Sequence, residues 1–192
     1  MGKERLTAFT DGVVAIIITI MVLELKLPHG THLADLQPVL PLFLTYLLSF
    51  IYIGIYWNNH HHMLQLASSV SGPILWANLH LLFWLSLIPF ATAWIGENHL
   101  APVPVALYGG LLIMAAVAYT ILMTFLVRHE GPDSALAHAM GRDVKGKLSL
   151  VIYAAGIGLA FADTRASIAL YVAVAIIWFV PDRRVERVIG RP

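Results

Sequence analysis

Apolar residues run through this chain in long blocks broken by short polar or proline-marked stretches, and each block has the length that crosses a bilayer rather than the length of a soluble core element. Six such blocks can be laid out, at about 7–27, 38–64, 73–95, 103–127, 147–162 and 166–181. Pro38 and Pro41 open the second, Pro73 the third, and Pro102 and Pro104 the fourth, all suited to a first helical turn. The last two blocks are short and joined by Ala-Asp-Thr-Arg. Reading them as one long helix would put Asp163 and Arg165 at mid-membrane, at a cost of several kcal/mol, so six spans is the expectation. Pro89 is the one proline well inside a block, and it predicts a kink there because the carbonyl of Leu85 loses its helical donor. Gly109 and Gly110, and the run Ala154, Ala155, Gly156 and Gly158, offer small faces for close helix approach.

Composition agrees with this pattern. Residues are 59% hydrophobic and 12% charged, against roughly 25% charged in soluble domains, and mean hydropathy is +0.78. The chain reads as an all-α integral membrane protein, one transmembrane domain over residues 1–192. The first apolar run is too long for a signal-peptide core and has no small-residue cleavage pattern after it. With no cysteine there is no disulfide framework or thiolate metal site. A net charge of +1 argues against a nucleic-acid partner.

Basic residues set the expected orientation. Lys3, Arg5, Arg128, Arg142, Lys145, Lys147, Arg183, Arg184, Arg187 and Arg191 fall on one side of a six-span layout, and only Lys26 and Arg165 on the other. Basic residues collect in the cytoplasm, so both termini are expected there, in a multi-pass protein of the cell membrane. The polar stretch between spans four and five, "RHEGPDSALAHAMGRDVKGK", is too small for a soluble catalytic domain. The chemistry is therefore expected within the bilayer, with no enzymatic activity and no cofactor.

The first span begins with two charges, in "RLTAFTDGVVAIIITIMVLELKLP". At 100° per residue, Gly12, Ile16, Thr19, Ile20, Leu23 and Leu27 share one stripe, and Asp11 lies on the order of 140° from Ile16. By spacing alone the stripe fits lipid or bundle packing as well as a pathway. Arg5 and Asp11 are about 120° apart and do not form a same-face pair, so each should find partners on other helices. Span two ends in "YWNNHHHM" and span three opens with "WANLHLLF", which brings His60, His61 and Asn78 to the same depth. Polar groups there are costly unless paired, and a buried network among Arg5, Asp11, His60 or His61, and Asn78 is expected. Three consecutive histidines point about 100° apart and cannot close on one ion, so no metal site is expected. Ser68, Ser69 and Ser71 form no nucleophile dyad with the histidines.

These motifs resemble the transmembrane protein 175 family, the endolysosomal potassium channels and their prokaryotic single-repeat relatives. The family's first-helix signature is Arg, three residues, then Phe-Ser-Asp; here it reads Arg5, Phe9, Thr10 and Asp11, with one hydroxyl in place of another. "GIYWNNHHHMLQL", "LWANLHLLFWLSLIPF" and "WFVPDRRVE" are similar to the second helix, third helix and C-terminal segment of prokaryotic members. The resemblance implies a homotetramer of six-helix subunits whose first helices line a central pore permeable to K+ and other monovalent cations. It places the constriction on Ile16, Ile20 and Leu23, with Thr19 as a hydroxyl layer, and maps the family's arginine–histidine network onto Arg5 and His60, with Asn78 as a third member. Glu24 would stand at the outer mouth and raise local cation concentration. Selectivity for K+ over Na+ is expected to be modest, since no Thr-Val-Gly-Tyr-Gly filter is present. Substitution of Arg5 or His60 is expected to impair assembly or gating. The rival is a proton- or cation-coupled secondary transporter using the histidine cluster, although paired broken helices in two related halves are missing.

Overall fold

The computed structural model describes residues 2–140 and 143–179. Arg142 and the basic residues Arg183, Arg184, Arg187 and Arg191, on which the expected orientation partly rests, lie outside the described residues, as do the last residues of span six.

The described residues form α-helices and one 3₁₀ turn, with no strand. In order they are α1 (Lys3–Leu23), α2 (Leu40–Gln65), α3 (Gly72–Ser86), α4 (Ile88–Glu97), α5 (Pro102–Glu130), α6 (Ala135–Met140), α7 (Val144–Leu159) and α8 (Thr164–Phe179). The 3₁₀ turn, Leu33–Leu36, lies in the α1–α2 connection, where the His32 N–H donates to Asp35 Oδ2 at 2.8 Å. Four segments are long and apolar enough to cross a membrane: α1, α2, α3 continued by α4, and α5. α7 and α8 have 16 residues each, about 24 Å of helix against a hydrocarbon core of about 30 Å.

Several boundaries follow from local chemistry. α2 carries Pro41, α3 Pro73 and α5 Pro102 in the first turn, where a missing N–H costs no helical bond. α1 starts four residues before the apolar run expected at 7–27, taking the polar Lys3–Arg5 turn into the helix, and stops at Leu23. The kink expected from Pro89 is a break at Leu87, whose N–H bonds to Trp84 at 3.3 Å in the tighter three-residue pattern. α5 stops at Gly131, whose φ of 95° few other residues adopt. The long polar connection is not loop throughout: α5 runs on to Glu130, α6 occupies part of it, and Asp143 caps α7 by accepting the Gly146 N–H at 2.8 Å. Asp163 starts α8, its Oδ1 accepting from the N–H groups of Arg165 at 2.9 Å and Ala166 at 3.2 Å. The charged Ala-Asp-Thr-Arg link is thus a helix–helix turn, as its sequence requires.

α5 is the hub, packed against α3, α4, α7 and α8, while α1 packs mainly on α2, α3 and α4. At the centre, Tyr52, Tyr108, Tyr153 and Tyr171, one each from α2, α5, α7 and α8, pack ring to ring at centroid distances of 6.0–6.5 Å. Tyr52 donates to the Tyr171 carbonyl at 2.6 Å and Tyr171 to that of Val105 at 3.3 Å, so the tyrosines bury their polar ends satisfied. Gly109 and Gly156 make room for this: a Cβ at either would overlap the Tyr171 ring or its hydroxyl. Ser49 adds a second buried polar contact, at 2.7 Å from Thr92 and 3.0 Å from Tyr108.

Candidate functional site

α1 divides lengthwise. Leu6, Thr10, Val14, Ile17 and Met21, at helical spacings of four or three, are buried against the bundle. On the opposite side Ile16 is 58% exposed, Ile20 43% and Leu23 80%, with Gly12 and Thr19 exposed between them. Leu27 is exposed too, but lies past the helix end. Nothing among the described residues covers this isoleucine-threonine-leucine face.

Thr19 has a specific orientation within it. Its hydroxyl donates back to its own helix, to the carbonyls of Ala15 at 3.0 Å and Ile16 at 2.9 Å. With its proton committed, the oxygen is left as an acceptor on an exposed face. Such an oxygen suits a cation.

Behind the buried face stands a chain of three side chains. Asn78 Nδ2 donates to Thr10 Oγ1 at 2.9 Å, and Asn78 Oδ1 lies 2.7 Å from His60 Nε2. All three residues are buried. With the amide donating to Thr10, its carbonyl accepts, and His60 must carry its proton on Nε2. One hydrogen-bonded path thus links α1, α3 and α2 at the end where the chain begins.

A second, more exposed chain runs beside it. Trp57 Nε1 donates to Asp11 Oδ1 at 2.8 Å, the Trp57 ring stacks on His61 at 5.9 Å, and Gln65 Nε2 lies 2.8 Å from His61 Nε2. His60 therefore joins the buried chain and His61 the outer one. Within the subunit the residues expected in one network fall into two chains. Thr10 holds the place next to Asn78, and Arg5 is exposed with no hydrogen bond or ion pair among the described residues. The physical reason is helical phase: Thr10 lies on the packed face of α1, and Arg5 does not. Phe9 is 52% exposed, so two members of the Arg-Phe-Thr-Asp signature face away from their own subunit.

Lys3 fastens the start of α1 to the end of α2. Its Nζ donates to the carbonyls of Ala67 at 2.7 Å and Gln65 at 3.1 Å, where the end of α2 leaves carbonyls open. The same turn is held from α5, with Glu130 Oε1 accepting from the Ser68 N–H at 2.8 Å and hydroxyl at 3.0 Å, and His129 3.0 Å from Ser69 Oγ. Glu24 caps the C-terminal end of α1, exposed. Near it Lys26 pairs with Glu97 at 2.7 Å. Among the described residues no group of three His, Asp or Glu is placed to hold a metal ion. Trp57, the contact of Lys3 with the end of α2 and the Ser49–Thr92–Tyr108 contact were not singled out by sequence; the signal for the last was polar residues inside apolar spans.

The family described as "Endosomal/lysosomal potassium channel TMEM175" matches residues 5–89, which contain α1 from Arg5 on, α2 and the buried chain. A potassium channel of Chryseobacterium sp. (strain P1-3) is 57% identical over 187 residues, 97% of each chain. A potassium channel of Streptomyces collinus is 28% identical over 183 residues, covering 90% of this chain and 89% of that one. The crystal structure of a lysosomal potassium-selective channel TMEM175 homolog from Chamaesiphon minutus superposes with a TM-score of 0.79 at 27% identity, over 93% of this chain and 96% of that chain.

Proposed function

Since the chain belongs to the TMEM175 family of potassium channels, we propose that it is a potassium channel in which four copies stand around one axis with the exposed face of α1 turned inward. The observation that carries this reading is the division of α1: one face is anchored on α2, α3 and α4, and the other presents Ile16, Thr19, Ile20 and Leu23 uncovered. An apolar face of that shape needs lipid, a neighbour or a shared axis; the acceptor oxygen of Thr19 within it favours the axis.

In this arrangement a narrow ring of four Ile16 side chains excludes water, and a hydrated cation meets a dewetting barrier. In a wider ring the cation sheds part of its hydration, and K+, more weakly hydrated than Na+, loses less. Four Thr19 oxygens replace part of the lost shell. With no rigid carbonyl cage, selectivity is modest. Ile20 and Leu23 continue the apolar lining toward Glu24, whose carboxylate attracts cations to the outer mouth. The Thr10–Asn78–His60 chain holds α1 in register behind the pore, and the Asp11–Trp57–His61 chain braces its flank. The subunit crosses the cell membrane six times, α7 and α8 included, with both termini in the cytoplasm. Conduction is passive, with no cofactor and no chemical turnover. The coupled-transporter reading draws no comparable support, because His60 is buried and bonded to Asn78 rather than set on an open path.

Single-channel recording of the purified chain in K+/Na+ bi-ionic solutions tests this. Passive cation current that changes when Ile16 is replaced by Asn is expected. An anion preference, or flux stoichiometric with a second gradient, would overturn it.

A further inference from the structure

A cavity of about 40 Å³ lies between α2, α5, α7 and α8, with no residue of α1 among its lining. A single water needs on the order of 10–15 Å³, so the space takes about three non-hydrogen atoms. Five aromatic side chains, Tyr52, Tyr56, Tyr119, Tyr153 and Trp178, line it, with Asn59 and Asp143 among the polar residues. Tyr56 and Tyr119 meet at 6.1 Å and 64°, so their rings form a corner rather than a stack. Asp143 is the one charged residue among the described residues lining the cavity.

The polar groups around it are mostly committed. Tyr119 donates to the Asn59 carbonyl at 3.4 Å, Asn59 Nδ2 to Ile55 at 2.8 Å and Thr120 to Ala116 at 2.9 Å. Ser149 donates to the Lys145 carbonyl and accepts from Trp178 Nε1, both at 2.8 Å. Acceptor capacity remains on Asn59 Oδ1 and on the donating hydroxyls, and two further groups stand out. The Tyr56 hydroxyl makes no hydrogen bond among the described residues, and the Asp143 carboxylate has more lone pairs than its cap bond to Gly146 uses. An aromatic corner, one carboxylate and one free hydroxyl together recognise a cation with an apolar skin: ring faces attract its charge without hydrogen bonds, and the carboxylate neutralises it. Bare K+ is a poor match, because it needs a shell of oxygens in place of water, whereas aromatic rings make up much of this lining.

We infer that this cavity binds a small alkylammonium cation, at a site separate from the face of α1, with Asp143 supplying the charge and Tyr56, Tyr119 and Trp178 the walls. A bound cation would tie the N-terminal end of α7 to α2 and α5.

The test is isothermal titration calorimetry of the full chain in nanodiscs with dimethylammonium chloride, against ethanol as a neutral probe of similar size. Because it reads no current, its outcome is independent of conduction. Saturable binding at one site per chain is expected, weakened at least tenfold by Asp143→Asn, which keeps a competent helix cap but removes the charge. Tyr119→Leu should weaken it too, while Ile16→Asn should leave it unchanged. Absence of saturable binding, equal response to ethanol, an unaffected Asp143→Asn variant, or loss of binding in Ile16→Asn would each overturn the assignment.

Discussion

Thr19 commits its only proton to the carbonyls of Ala15 and Ile16, and what it offers outward is an oxygen. If that oxygen replaces water around a permeating cation, Thr19→Val should keep the shape of the lining and lower the K+ over Na+ permeability ratio, read from bi-ionic reversal potentials. Ile16→Asn should do something different: a polar ring wets the constriction, so current at a fixed voltage should rise several-fold while the preference for cations stays. Behind them, Asn78 serves two partners at once. Asn78→Leu strands Thr10 and His60 without their shared partner, and a buried polar group left unpaired costs about 1–3 kcal/mol. The variant should therefore lose about 2 kcal/mol or more, seen as a lowered thermal midpoint in detergent. His60 and Asn78 also illustrate why a residue's neighbours matter more than its type, since His61, one position away, points to Trp57 and Gln65 instead.

Among the elements, the α7–α8 pair is the instructive case. Each helix is short, and each is held by the four-tyrosine contact with α2 and α5 rather than by length. Gly109 and Gly156 set how closely these helices approach, because Tyr171 occupies the space where their side chains would be. Gly156→Val should displace Tyr171 and destabilise the protein by about 1–3 kcal/mol. Gly158→Ala, two residues on and with nothing within 4 Å of the added carbon, should be neutral or stabilising. Comparing the unfolding midpoints of the two variants checks this. α3 and α4 show the converse effect. Pro89 interrupts one span at Leu87 without dividing it, because Ala91 picks up the Leu87 carbonyl at 3.3 Å and the helix resumes.

At the scale of the whole molecule, the signature on α1 faces two ways. Thr10 and Asp11 are used inside the subunit, whereas Arg5 and Phe9 have no side-chain hydrogen bond or core position among the described residues. In a tetramer these two would meet a neighbouring copy, so Arg5→Ala should leave the subunit folded and shift the assembly toward smaller species, measured by native mass spectrometry. A chain without cysteine offers a direct probe of the axis. Leu23→Cys, on the most exposed apolar side chain of α1, should give disulfide-linked dimers on mild oxidation, while Cys at the buried Met21 should not. Crosslinking at Met21 alone would place a different face of α1 at the centre.

Much of this was legible in the residues. Apolar blocks, first-turn prolines and the Ala-Asp-Thr-Arg link determine where helices start and stop, because hydrogen bonding in lipid is local and each helix must satisfy its own backbone. The 100° step of a helix likewise determines that Ile16, Thr19, Ile20 and Leu23 share a face. What no periodicity could decide is which side of α1 is packed and which partner each polar group meets. Thr10 rather than Arg5 beside Asn78, Trp57 on Asp11, Lys3 on the end of α2 and the tyrosine-lined cavity all depend on how separate helices are rotated against one another. That rotation is settled by side-chain packing between segments distant in sequence, with α5 at the hub, and a one-dimensional pattern carries no record of it.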